Sequence, residues 1–120
     1  MTPDSRVRLT VPAEASYLSV CRAVLSGVLV DAADDEVEES KLVLSEVCAA
    51  AVAHQRAEAL EVVFRAAPGE IEIAVTGARV DAFLADPVAY EVVDRLTSGW
   101  HVEREPAGES ASVTFSRCLR

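Results

Sequence analysis

The sequence predicts a two-layer α/β domain in which helices cover one face of a single sheet. Its 120 residues suit one compact domain, taken as residues 1–120. The predicted elements follow the order strand, helix, helix, strand, strand, helix, strand, strand. The strands alternate between apolar and polar residues, so only one face of the sheet needs a covering layer. We therefore expect about five strands, with three helices packed on one side.

Composition and charge exclude several classes of protein. Apolar residues make up 51% of the chain and charged residues 26%, which is too apolar for a disordered segment. No apolar run reaches the ~18 residues that a membrane span needs, and the first residues lack the apolar core of a secretory signal. The formal net charge of −9 would repel a phosphate backbone. These features predict a cytoplasmic protein that binds neither membranes nor nucleic acid directly.

The amino-terminal half contains one predicted strand and two predicted helices. Residues 6–11 alternate in polarity, and Pro12 ends this strand. From residue 14 to about residue 30, apolar side chains recur at helical spacing and form one wide stripe. The second helix is predicted from Asp34, its expected N-cap, to about His54.

The carboxyl-terminal half contains four predicted strands and one predicted helix. Two alternating segments flank Ala66–Gly69, whose Pro and Gly are typical of a hairpin turn. The segment 76–85 has no regular pattern and is expected to be irregular. Asp86 and Pro87 suit the cap and the first position of a helix, which Gly99 would end. The four strands are predicted at 60–65, 70–75, 100–103 and 111–116.

The apolar faces of these elements predict the core. The expected buried residues are Val24, Leu25, Leu44, Cys48, Val62, Ile73 and Phe115. The three cysteines, Cys21, Cys48 and Cys118, form no C-x-x-C pair, so neither a disulfide framework nor a zinc site is indicated. We expect Cys21 and Cys48 to be plain core residues, which is the usual state of a free cysteine.

The second predicted helix carries a segment that resembles a known motif. Residues 45–54 are SEVCAAAVAH, and small anti-sigma factors of the RsbW type often have S-E-x-C-x-N-A-x-x-H at this place. With its element order, the chain resembles the ATP-binding domain shared by histidine kinases, gyrase-type ATPases and RsbW-type anti-sigma factors. The resemblance implies a mixed sheet of about five strands with three helices on one face. The matching residues are Ser45, Glu46, Cys48, Ala51 and His54.

The same resemblance implies a nucleotide site whose key positions have changed. The magnesium-binding Asn of the family corresponds to Ala50, whose methyl group cannot ligate a cation that needs oxygen. The D-x-G motif corresponds to residues 75–77, where Gly77 is kept but Val75 cannot accept a hydrogen bond from adenine. The glycine-rich lid corresponds to the start of the third helix, where Pro87 lacks an amide donor for phosphate. We therefore expect no cofactor, neither ATP nor magnesium.

Glu46 matches the acid that activates the attacking hydroxyl in active kinases of this family. Because Glu46 and His54 are eight residues apart, a little over two helical turns, they can share a face but cannot touch. We interpret Glu46 as a relic of catalysis or a structural group. With no cysteine near His101, the two histidines make a poor metal site.

Six acids occur within ten residues between Asp31 and Ser40. One interpretation is a capped, solvated helix start, since carboxylates stabilise the first turn of a helix. The other is a surface for a basic protein partner, formed by Asp35, Glu38 and Glu39, which would speed and orient encounter. The sole tryptophan, Trp100, has two similar alternatives, partial core or partner anchor.

The resemblance implies an anti-sigma factor-like regulator of transcription that acts by partner switching. Its partner would be a sigma factor, an anti-anti-sigma antagonist, or both, and members of the family are commonly homodimers. Whether the chain is an enzyme stays open. The alternative to a pseudo-enzyme is an active ATP-dependent serine/threonine protein kinase that holds Mg-ATP through substitute ligands. An antagonist-type domain fits poorly, because it needs an exposed serine at a helix start, whereas Ser40 and Ser45 lie within a predicted helix.

Overall fold

The described chain, residues 5–53, 59–106 and 110–119 of a computed structural model, forms a five-stranded sheet with three α-helices. This arrangement confirms the predicted α/β class and the predicted order of the main elements. Short 3-10 helices cover Ala15–Tyr17 and Val80–Ala85, and the second of these is called the connecting 3-10 helix below. In chain order the elements are β1 Ser5–Pro12, α1 Leu18–Val28, α2 Asp34–Ala53, β2 Ala59–Ala67, β3 Glu70–Gly77, α3 Pro87–Leu96, β4 Gly99–Arg104 and β5 Ala111–Cys118.

The sheet is antiparallel at every described strand pair, in the order β1-β2-β3-β5-β4. The mixed sheet that the resemblance implies is therefore wrong for this chain. The reason lies in the connections. The crossover through α3 brings β4 back in the direction of β3, but β5 folds against β4 and inserts between these two strands. Strands of like direction are thus always separated by one of opposite direction.

The predicted hairpin between β2 and β3 is confirmed. Ala67 pairs with Glu70, so the turn consists of Pro68 and Gly69. Gly69 has a φ of +77°, a left-handed conformation that glycine adopts without steric cost. This turn sets the register of β2 and β3, because a two-residue connection does not allow one strand to slide along the other.

One face of the sheet packs against the helices and forms the core. The predicted residues Leu25, Leu44, Cys48, Val62, Ile73 and Phe115 are all buried. Val24 is only half-buried and packs at the margin of the core. The reason is that α1 presents a narrow face: Cys21 and Leu25, one turn apart, point inward, and their neighbour Val24 is rotated by ~100° towards the edge.

The helix boundaries differ from the predicted ones at three places. The first helix is split, because a 3-10 turn covers Ala15–Tyr17 and α1 ends at Val28. Asp34 lies in the first turn of α2 and is not its cap, since the carbonyl of Ala33 already accepts from the amide of Val37 at 3.1 Å.

Across the described residues, no helix combines the length and the apolar character that crossing a bilayer requires.

The third helix begins as predicted and ends earlier. The Asp86 carboxylate accepts hydrogen bonds from the amides of Val88 at 3.0 Å and Ala89 at 3.2 Å, with Pro87 as the first helical residue. At the other end the cap is Thr97, whose hydroxyl donates to the carbonyl of Val93. Gly99 is the first residue of β4 and does not end the helix.

Replacing Leu44 with Ala tests the orientation of α2. Leu44 is fully buried, so Leu44→Ala is expected to lower the free energy of unfolding by about 2–5 kcal/mol through lost transfer energy and a residual cavity. Leu42, on the same helix, is 43% exposed, and Leu42→Ala should cost less than about 1 kcal/mol. Chemical denaturation measures both variants. A larger cost for Leu42→Ala than for Leu44→Ala would mean that α2 faces the other way.

Candidate functional site

The positions that correspond to the family's nucleotide site lie on elements that pack against each other. Ala50 is half-buried on α2, and Val75 is fully buried on the core face of β3. Gly77 is the last residue of β3, and Pro87 is the exposed first residue of α3. The connecting 3-10 helix and α3 both pack on α2. The structure therefore gathers these elements into one region.

Apolar side chains fill the core of this region. The segment 76–85, expected to be irregular, contains the connecting 3-10 helix, from which Val80 and Phe83 enter the core completely. Ala89 and Val93 of α3 are equally buried. Val75 belongs to the same cluster, so it works here as a core residue. The sequence signal for this helix was the spacing of Val80 and Phe83, since residues three apart align on a 3-10 helix.

The local packing around position 77 favours a glycine without involving a ligand. A Cβ atom built on Gly77 would lie 2.9 Å from Cδ2 of Leu60 and 3.1 Å from the carbonyl oxygen of Ala59. Real Cβ atoms essentially never come within 3.0 Å of another atom, so the end of the Leu60 side chain would have to move, and the carbonyl of Ala59 would have to give by a few tenths of an ångström. Gly77 thus lies where β2 closely approaches the end of β3.

The start of α3 already holds an anionic group from the protein itself. The amides at a helix amino terminus can bind phosphate because they lack intrahelical partners. Here the carboxylate of Asp86 accepts from two of them, the amides of Val88 and Ala89. Pro87 between these residues has no amide hydrogen to offer. A phosphate at this place would have to displace Asp86 and would meet its negative charge.

Two arginines, Arg104 of β4 and Arg79 at the start of the connecting 3-10 helix, flank the same carboxylate. Asp81, with a side chain 12% exposed, lies 2.6 Å from a guanidinium nitrogen of Arg104 and 4.0 Å from Nε of Arg79. Arg79 has a φ of +65°, the left-handed region that is uncommon for residues other than glycine. The turn that leads from β3 into this helix therefore combines an unusual backbone conformation with this group of charged side chains.

Glu46 and the histidines do not form a described metal or catalytic centre. Glu46 is half-buried on α2, whereas His54 lies outside the described residues. His101 is exposed on β4, where its Nε2 lies 3.4 Å from a carboxylate oxygen of Glu103. In the described parts of the chain, no group of three or more His, Cys, Asp or Glu residues is arranged to hold a metal ion.

Trp100 packs as partial core. Its ring makes edge-to-face contacts with Phe83, at a centroid distance of 5.5 Å, and with Tyr90 at 5.7 Å. Its indole N–H donates to the carboxylate of Asp94 at 3.3 Å. A half-buried tryptophan with one polar contact near solvent is a common arrangement. Of the two alternatives for Trp100, the structure favours the first.

The acidic run divides into an outward and an inward group. Asp35 and Glu38 are exposed, and Glu38 lies 3.2 Å from the ammonium group of Lys41. Glu36 and Glu39 instead point to the guanidinium group of Arg117 on β5, each at 3.5 Å. The side chains of Glu36 and Arg117 are 7% and 6% exposed. The interpretation as a solvated helix start therefore describes Asp35 and Glu38 but not Glu36 and Glu39.

Arg117 connects β5 with two helices. Besides its contacts with Glu36 and Glu39 of α2, its guanidinium group donates to the carbonyl of Leu96 at the end of α3. Sequence reasoning missed this residue, although the alternation of Val113, Phe115 and Arg117 places all three on the buried side of β5. The signal was present in the pattern, and it pointed to a buried cation that needs a carboxylate partner.

A groove lies between α1 and α2 next to the outward acids. It is shallow and open to solvent, has a volume of about 500 Å³, and is lined by Arg22, Glu38, Lys41, Leu42 and Ser45. Arg22 donates to the hydroxyl of Ser45 at 3.4 Å, and Leu42 is one of the large apolar side chains that remain exposed. The groove therefore combines charged side chains with one exposed apolar side chain.

Comparison with known proteins leaves the family open. No protein-family model matches the chain, and no curated protein matches it significantly. The resemblance to anti-sigma factors thus rests on the residues of α2 and on the order of the elements.

Removing Arg117 tests the buried ionic cluster. Arg117→Met should lower the free energy of unfolding by about 3–5 kcal/mol, because it leaves the buried Glu36 without this cation. The matched control is Glu39→Gln, which removes the partly exposed partner and should cost less than about 1 kcal/mol. Combining Glu36→Gln with Arg117→Met should recover much of the loss, and denaturant titration of all variants measures the coupling. Strictly additive effects would contradict the cluster.

Proposed function

We propose that this chain is an anti-sigma factor-like regulator of transcription that binds a protein partner and has lost nucleotide binding. The proposal rests on the residues found at three positions that correspond to the nucleotide site of ATP-binding domains. Val75 is a core residue, Asp86 occupies the amides at the start of α3, and Ala50 offers a methyl group in place of a metal ligand. A protein with this site would work by sequestering its partner, and it would release that partner according to relative affinities.

The three changes remove separate contributions to nucleotide binding. Metal ligation, adenine recognition and phosphate binding each depend on polar groups at different elements. Leaving one polar group of a ligand unpaired weakens binding by about 1–3 kcal/mol. Since a dissociation constant of 1 mM corresponds to only about −4 kcal/mol, losses at three places remove a useful affinity for ATP.

The proposed partner is a sigma factor or an antagonist of the anti-anti-sigma type, met through a basic surface. The net charge of −9 gives the chain an overall negative field, which speeds encounter with a basic partner. Asp35 and Glu38 are exposed near the first turns of α2, and Glu38 also lines the groove between α1 and α2. The outward acids would steer the partner, and the groove with Leu42 would supply apolar contact area.

Nucleotide titration tests the loss of ATP binding. Calorimetry of the unmodified protein should show no binding of Mg-ATP up to about 1 mM nucleotide, because none of the three positions offers the group that the ligand needs. Ala50→Asn should not restore binding, since it returns one metal ligand while Val75 and Asp86 are unchanged. A micromolar dissociation constant for the unmodified protein would favour the active serine/threonine kinase, and phosphotransfer to the co-purified partner would then identify it.

Charge reversal tests the partner surface. Changing Asp35 and Glu38 to Lys should slow association with a basic partner by up to about ten-fold at low salt and weaken its salt dependence. Glu39 is left unchanged, because a lysine there would lie beside Arg117 and disturb the fold. The control variant makes the same change in charge at Glu70 and Glu105, exposed acids of the sheet layer. Equal rate constants for the two variants in stopped-flow measurements would remove Asp35 and Glu38 from the interface.

Affinity capture from the native cells tests the class of partner. The full chain, carrying a tag, should recover a sigma factor or an antagonist protein from the lysate. Recovery of metabolic enzymes alone would contradict the regulator. This experiment is independent of the nucleotide titration, so the two parts of the proposal can fail separately.

A further inference from the structure

The strand β1 forms one edge of the sheet, and its two faces differ in chemistry. It is the first strand in the sheet order and pairs with β2 on one side. Val7 lies opposite the buried Phe64 of β2, so it faces the helix layer. Since side chains alternate along a strand, Arg6 and Arg8 point to the opposite, open face of the sheet. Both arginines are exposed.

The two arginines of β1 are cations without an acidic partner on the sheet. Arg6 lies directly opposite Arg65 of β2, and like charges in such a pair are unfavourable. Arg65 is 3.8 Å from Glu72. Within the part of the chain that the structure describes, the ion pairs include neither Arg6 nor Arg8. A carboxylate on the free side of β1 would therefore be attracted by both, although the whole chain has a net charge of −9.

The helix layer offers apolar side chains beside the same edge. Arg22 of α1 donates to Ser45 at 3.4 Å, so this side of α1 faces α2. Val20 and Val24 are two positions away from Arg22, a rotation of ~200°, and lie on the opposite side. Because α1 packs on β1 and β2 whereas α2 contacts β3, that opposite side borders the edge of the sheet. Val20 is 40% exposed and Val7 is 37% exposed.

We propose that the free edge of β1 binds an extended segment of a partner protein in which acidic and apolar residues alternate. The segment joins the sheet as an additional strand, and its backbone pairs with the groups that an edge strand leaves unused. Its acids lie beside Arg6 and Arg8 on the open face, and its apolar residues lie beside Val7 and Val20 under α1. This surface is separate from the outward acids and the groove, has the opposite charge, and does not depend on the proposed function.

Charge selects this occupant over a second copy and this edge over the other one. Pairing β1 with β1 of a second copy would bring arginines close to arginines, and such repulsion works against that partner. At the other edge, β4 carries His101 and Glu103 on exposed positions, so an acidic strand would meet a carboxylate. Arg104 of β4 is already 2.6 Å from Asp81. The acidic strand therefore favours β1.

Fluorescence anisotropy with a labelled peptide is the direct test. The probe is a synthetic peptide of about ten residues in which Glu and Val alternate, long enough to pair with the eight residues of β1. The full chain should bind it saturably at about 0.15 M salt, with a dissociation constant below about 1 mM. A peptide of the same length in which Lys replaces Glu should bind at least about ten-fold more weakly. Absence of saturable binding, or equal binding of the two peptides, would overturn the proposal.

Two variants with the same change in charge locate the cations. Arg8→Glu should weaken binding of the Glu-Val peptide at least about five-fold, because a repulsion replaces an attraction beside the added strand. Arg95, which is exposed on α3, supplies the matched control, and Arg95→Glu should change the dissociation constant less than about two-fold, since distant charges are screened at this salt concentration. Circular dichroism checks that both variants are folded. An equal effect of the two variants would contradict the proposal.

Hydrogen exchange shows whether the peptide adds to the sheet. In the complex, the amides of β1 should exchange more slowly and those of β4 should not change, because only the edge at β1 gains backbone partners. Protection of β4 without β1 would overturn the proposal. Protection of β1 in the free chain that rises with protein concentration would do the same, since a second copy would then hold the edge. So would tighter binding of single-stranded poly-thymidylate than of the peptide, since that would indicate a surface for phosphates.

Discussion

The packing of α2 against other elements on several of its sides constrains the rest of this structure. Val43, Leu44, Val47 and Cys48 are fully buried in its middle turns, and α1, α3, the connecting 3-10 helix and β3 all contact it. A helix surrounded in this way fixes the positions of its neighbours, because protein interiors are close-packed and leave little room for adjustment. The sheet supplies one wall of the core, and α2 determines how the other elements close it.

The region that corresponds to the nucleotide site of ATP-binding domains is part of that packing, since Val75, Val80 and Phe83 are fully buried in it. In this chain the apolar side chains occupy the region, and the carboxylate of Asp86 takes the amides that an anion would use. The proposal of a regulator without bound nucleotide therefore rests on the apolar packing of this region and on the Asp86 cap, in addition to the identity of single residues.

Charge is distributed with a similar division of roles. Glu36 and Glu39 contact Arg117 and link α2 with β5, while Asp35 and Glu38 remain outside. A buried ion pair is weak evidence for net stability, but removal of one member leaves the other in a costly environment. Neighbouring carboxylates in one acidic run thus lie in different surroundings, some against Arg117 and others towards solvent.

The sequence alone determined the class of fold, the order of the main elements, the hairpin at Pro68 and Gly69, the cap at Asp86 and nearly all of the predicted core. These features depend on local periodicity and on backbone preferences, which short segments carry by themselves. Only the tertiary structure decided the antiparallel sheet, the burial of Phe83 and the turn of Glu36 and Glu39 towards Arg117. Those features join residues that are distant in the chain. Periodicity shows which face of an element is apolar, but it does not show which other element will cover that face.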